Sequence, residues 1–127
     1  MSRIHFDPEI GDAAADGAVL AGISPDTGTP FFAAAADEPA PMEYDDARRT
    51  ANLKSLSGGR WRIASDGEHA VMRRNRDKGA LCGTFNEAGW YWGSEINRRK
   101  ARTWNIRDGS ANDDFKFRPS AVRLVRD

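Results

Sequence analysis

At 127 residues and 14.0 kDa the chain has the size of one domain, large enough to bury a single core without metal or disulfide support. Its one cysteine excludes an internal disulfide, its histidines at positions 5 and 69 lack the spacing of a zinc site, and no apolar run approaches the length of a membrane span. The formal net charge of zero conceals a polarity, because residues 1–46 hold ten acids against one base, a balance of −9 that the remaining residues must offset.

Residues 1–16 lack periodicity, and Gly11-Asp12-Ala13-Ala14-Ala15-Asp16 reads as an arm or linker. Val19-Leu20-Ala21-Gly22-Ile23 and Pro30-Phe31-Phe32-Ala33 then flank Ser24-Pro25-Asp26-Thr27-Gly28, a set of turn formers that predicts a hairpin. Two prolines make residues 34–41 a connecting loop. From Glu43 to Leu56 the composition favours a helix with Tyr44, Ala47 and Ala51 on one face, while Leu53 and Leu56 fall off that stripe. Arg60-Trp61-Arg62-Ile63 alternates as a short strand with Trp61 and Ile63 inward. Ser65 and Glu68 have the spacing of a capping box, which starts a second helix from Asp66 to about Arg74 that buries Val71 and Met72.

Cys82 reads as a buried small hydrophobe; a reactive thiol is the alternative, although no neighbour in sequence identifies a base for it. Gly89-Trp90-Tyr91-Trp92-Gly93-Ser94-Glu95 packs three large aromatics into a strand bounded by turn residues, with Trp90 and Trp92 on one face and Tyr91 on the other. In a domain with four Trp such a strand is a candidate core organiser; an exposed aromatic platform is the alternative. Arg102 to Arg107 alternates with Trp104 and Ile106 on one side, Asp108-Gly109 makes a turn, Phe115-Lys116-Phe117 begins another alternating segment, and residues 120–126 close the chain with Val122 and Leu124 together. The expected class is α+β, two helices packed on a mostly antiparallel sheet.

The hairpin, the helix around Asp46-Ala47, Trp61-Arg62-Ile63-Ala64-Ser65 leading to Glu68, Gly89-Trp90-Tyr91-Trp92, Trp104 and Val122-Arg123-Leu124-Val125-Arg126, in that order, resemble the DUF1566 family. That family includes the C-terminal domain of the Legionella collagen-like adhesin and has a fold similar to C-type lectins and the formylglycine-generating enzymes. The resemblance spans residues 17–126 and implies a C-type lectin-like domain over 17–127 following an arm at 1–16. Family members commonly carry a Ser pair after Trp-Tyr-Trp, and Gly93 stands in its first place.

The chemical implications are mostly negative. Calcium-dependent sugar binding in C-type lectins uses a Glu-Pro-Asn-like loop and a Trp-Asn-Asp segment to supply hard oxygens. Here the second segment is Trp104-Asn105-Ile106, and Glu38-Pro39-Ala40 lies in another region without the amide, so no metal and no cofactor are expected. Formylglycine-generating enzymes use paired cysteines, which Cys82 cannot supply. His69 lies within the second helix, as a structural residue rather than a general base, and no catalytic residue is assigned.

A fold of this kind presents loops on a rigid base. The loops after the Trp-Tyr-Trp strand and between Asp108 and Asp114 are the expected binding surface, with Ser94, Asn97, Arg98, Arg99, Arg102, Asn112 and Asp113 as candidates. Arginine supplies forks for carboxylate, sulfate or phosphate and asparagine fixes hydroxyls; an ordinary polar surface is the alternative. The expected function is a non-catalytic structural or attachment protein of a phage or phage-like particle, assembled in the bacterial cytoplasm and binding other subunits, a receptor or itself. A glycan-binding adhesin module for acidic or sulfated polysaccharide, reaching the cell surface without its own Sec signal, is the second expectation. Specific nucleic-acid recognition is not expected, since no helix-turn-helix, zinc-finger or RNP-type pattern accompanies the basic runs.

Overall fold

The computed structural model describes residues 9–78, 81, 85 and 89–127. His5, Cys82 and the first eight residues of the expected arm lie outside the described residues. The hairpin forms as expected from β1 (Val19–Ile23) and β2 (Pro30–Ala33), antiparallel, with Gly28 at φ 73° in the turn between them. Residues 11–14 fold back along β1, where Gly11 N–H donates to Leu20 O (2.8 Å) and Leu20 N–H to Asp12 O (2.9 Å).

Helix α1 (Tyr44–Ser55) buries Tyr44, Ala47 and Ala51, the stripe that the spacing predicts, and leaves Leu53 and Leu56 exposed. Helix α2 (Asp66–Asp77) begins at the expected capping box: Ser65 Oγ accepts from Glu68 N–H (3.2 Å), and Glu68 Oε1 accepts from Ser65 N–H (3.0 Å). It runs three residues past the expected end, and Val71 and Met72 are buried. Strand β3 (Arg62–Ile63) is only two residues long. Trp61 precedes it and is buried all the same, its indole N–H donating to Gly58 O at 3.1 Å.

The remaining strands are β4 (Trp90–Glu95), β5 (Lys100–Asn105), β6 (Ala111–Phe115) and β7 (Leu124–Arg126). The class is α+β, but the strands divide into two antiparallel sheets, β1-β2-β7-β3 and β4-β5-β6. The last strand lies inside the first sheet, pairing Ala33 and Arg62 through the same residue, Val125. Leu124 and Val125 are both fully buried there, so both faces of this strand are covered. They belong to two different cores, and so do Tyr91 and Trp92 of β4, because adjacent side chains on a strand point to opposite faces. Tyr91 packs with Phe31, Val71, Met72 and Ile106, whereas Trp92 packs with Tyr44, Ala47, Trp61 and Leu124, and Tyr44 meets its ring edge-on at 5.4 Å. The aromatic strand is therefore a wall shared by two cores, with Trp90 half-buried at its start.

Two strand expectations are corrected. The strand expected to begin at Phe115-Lys116-Phe117 instead precedes those residues and ends at Phe115, with Lys116 and Phe117 in a turn. After the tight turn at 106–108 the chain pairs back at once with β5, from Trp104↔Ala111 to Lys100↔Phe115. These cross-strand partners outweigh the poor intrinsic strand preference of Asn112, Asp113 and Asp114. In β5 the buried face is Ala101 and Thr103; Trp104 is half-buried on the other face, and Ile106 reaches the core from the turn beyond the strand. No described helix is long and apolar enough to cross a membrane.

Candidate functional site

One end of the second sheet forms a cleft of about 480 Å3 lined by Glu43, Asp45, Arg98, Arg99, Phe115, Lys116 and Phe117. Three segments build it. The β4–β5 connection is shaped by Asn97, whose Oδ1 accepts from the N–H groups of Arg99 (2.8 Å) and Lys100 (2.9 Å), an arrangement by which a short amide side chain turns its own backbone. Arg98 and Arg99 are left exposed at the tip. Glu43 and Asp45 flank the start of α1. The end of β6 sits between the two: Lys116 N–H donates to Arg99 O (2.8 Å), and Lys116 O accepts from Tyr44 N–H (3.0 Å).

Phe115 and Phe117, both lining this cleft, stack with ring centroids 5.4 Å apart and planes 19° from parallel. They are 37% and 65% exposed, although each is a large apolar side chain. Lys100 Nζ lies 4.8 Å from the centre of the Phe115 ring and the Arg118 guanidinium 5.7 Å from it. The Lys116 ammonium pairs with Glu95, which also meets Arg48 at 3.9 Å, and the Lys116 contact holds the Glu95 carboxyl below the usual carboxylate range.

Of the residues that the sequence suggests for binding, Arg98 and Arg99 line the cleft, and Asn97 lines the adjoining depression with them, Lys100 and Phe115. The others lie elsewhere. Asn112 and Asp113 were expected in a loop between Asp108 and Asp114, but most of that segment is strand β6. Asp113 faces Arg102 across the ladder with an ion pair of 3.4 Å, and Asn112 pairs in register with Thr103. Ser94 ties β4 to the start of α2: its Oγ accepts from Asp66 N–H (2.9 Å), and its own N–H donates to Asp66 Oδ1 (3.0 Å). Trp104 Nε1 donates to the same carboxylate oxygen at 2.7 Å. Glu43, Asp45, Phe115, Lys116 and Phe117 are additions from the structure. A strand through Phe115-Lys116-Phe117 would put both rings on one face, which reads as core; the strand's end at Phe115 leaves Phe117 outside.

The buried ionisable groups near α2 make structural bonds. His69 is buried, and its Nε2 donates to Trp92 O at 2.7 Å; burial pushes its pKa below the ordinary histidine value. Burial alone would raise the Glu68 carboxyl, but the Arg62 guanidinium at 2.5 Å and the Ser65 amide outweigh it and hold the pKa below the ordinary value. Asn105, part of the Trp104-Asn105-Ile106 segment, uses its Oδ1 to accept from Arg107 N–H (2.8 Å). Among the described residues no group of three or more His, Cys, Asp or Glu is placed to hold a metal ion. Compared with known proteins, the sequence matches no family model and no curated protein.

Proposed function

We propose that the chain is a non-catalytic attachment or subunit-docking protein of a phage or phage-like particle, built on a C-type lectin-like scaffold of the kind the DUF1566 resemblance implies, and that the cleft between α1, the β4–β5 tip and the end of β6 is its docking surface. The observation that carries this reading is the exposed Phe115–Phe117 stack set among charged side chains. Exposed aromatic area rimmed by polar groups is the surface that protein interfaces bury, with aromatic and arginine side chains contributing most of the affinity. A binding role rather than a catalytic one is supported by the fate of Glu68 and His69, both engaged in holding α2 and neither lining the cleft.

The test is co-sedimentation with particles purified from the cells that make the protein. Wild type should sediment with the particles in fixed proportion, and Phe117→Ser should remain in the supernatant. Wild type absent from the particles, or both proteins sedimenting alike, refutes the reading. A second reading, a module for acidic or sulfated polysaccharide, is favoured by Arg98 and Arg99 standing beside exposed ring faces. Heparin-like chains would then bind with strong salt dependence, and Arg98→Ala with Arg99→Ala would weaken that binding.

A further inference from the structure

We infer that the occupant of the cleft is a second copy of the same chain, related by a two-fold axis, an inference that rests on the docking reading above. The backbone of Lys116 orders the walls: it bonds Arg99 on one side and Tyr44 on the other, so Arg98 and Arg99 form a basic wall opposite the acidic wall of Glu43 and Asp45. All four side chains belong to exposed residues, and none has an ion-pair partner among the described residues. Elsewhere many of the acids are paired within the chain, Asp16 with Arg126, Asp37 with Arg123 and Asp46 with Arg49. Lys116, at the centre, is already neutralised by Glu95.

A uniformly acidic or uniformly basic partner would satisfy one wall and be repelled by the other. A second copy turned by 180° presents both signs in the required places, its acids to the first copy's arginines and its arginines to the first copy's acids. Such a patch is self-complementary, the condition for an isologous dimer. With the axis running along the cleft, parallel to the two walls, pairing would also cover the rings that the single chain leaves exposed.

The experiment uses two charge-reversed proteins, Glu43→Arg/Asp45→Arg and Arg98→Glu/Arg99→Glu, with native mass followed by light scattering over a concentration series at low salt. Wild type should dimerise. Each reversed protein alone meets only like charge across the axis and should associate at least about tenfold more weakly, because attraction at each reciprocal pair becomes repulsion. Mixed in equal amounts, the two should form a heterodimer as readily as wild type, since every reciprocal pair is again opposite in sign. Thermal melting of each protein checks that it is folded, and the mixture is decisive because a folding defect in either would not be repaired by the other. Wild type that stays monomeric throughout, reversed proteins that dimerise unchanged, or a mixture that fails to associate overturns the inference. A monomer that still sediments with particles would overturn the dimer and leave the docking reading standing, and a dimer absent from particles would do the reverse.

Discussion

Asp37→Ala tests how the loop between β2 and α1 is anchored. Arg123 is 1% exposed and meets Asp37 Oδ1 through Nε (2.9 Å) and Nη2 (2.8 Å), while Tyr91 donates its hydroxyl to Asp37 Oδ2 at 2.6 Å. Removing one member of a buried pair strands the other charge, at a cost of about 3–5 kcal/mol. Arg123 keeps its bond to Ala34 O (3.0 Å) and its place over the Phe85 ring (4.2 Å), so the expected loss falls at the low end, about 3 kcal/mol. For a domain of this size that corresponds to a fall in Tm of about 12 °C. The assay is guanidinium and thermal unfolding followed by circular dichroism. Adding Arg123→Met to Asp37→Ala removes the buried charge as well and should restore part of the loss, leaving a deficit of about 1–2 kcal/mol for the bond to Ala34 O that goes with the guanidinium. A single variant within about 1 kcal/mol of wild type, or a double variant less stable than Asp37→Ala, would refute the account of a buried charge held by its partner.

Gly93→Ala should cost about 1–3 kcal/mol in an unfolding titration, because its Cβ would lie 2.6 Å from Asp66 Oδ1 and 2.9 Å from Trp104 Cδ1. Asp66 cannot easily yield while Ser94 N–H and Trp104 Nε1 both donate to that oxygen. Ser65→Ala should lower stability by about 1 kcal/mol by uncapping α2, with Ser65→Asp as the control that retains an acceptor. Burial holds the His69 pKa below its ordinary 6.5, so as pH falls through that value the unfolded chain takes up a proton more readily than the folded chain. Stability should therefore fall as pH drops from 7 to 5, by at most about 1.4 kcal/mol per pH unit for one proton, and His69→Gln should flatten that slope in denaturant titrations. Glu68 acts lower on the scale: its carboxyl is held below the ordinary 4.5, so its contribution is complete above that value and is lost as pH falls through the folded-state pKa. Glu68→Gln should reduce the steepness of acid unfolding below pH 4.5.

Local chemistry was readable wherever neighbouring residues decide the outcome. The turn formers at 24–28 place the first hairpin, the stripe of Tyr44, Ala47 and Ala51 places α1, and Ser65 with Glu68 marks the start of α2, because turns, helical faces and caps are settled by residues a few positions apart. The alternation in Trp90-Tyr91-Trp92 likewise assigns opposite faces before any fold is known. Pairing between distant strands is not written in that way. Only the tertiary structure put β7 between β2 and β3, separated the strands into two sheets, and made Tyr91 and Trp92 members of different cores. It also placed Asp113 opposite Arg102, ended β6 before Phe117, tied Ser94 to α2, and brought Glu43 and Asp45 to line one cleft with Arg98 and Arg99. Side-chain periodicity states which residues share a face, but the register of the ladder and the ends of its strands decide what that face meets.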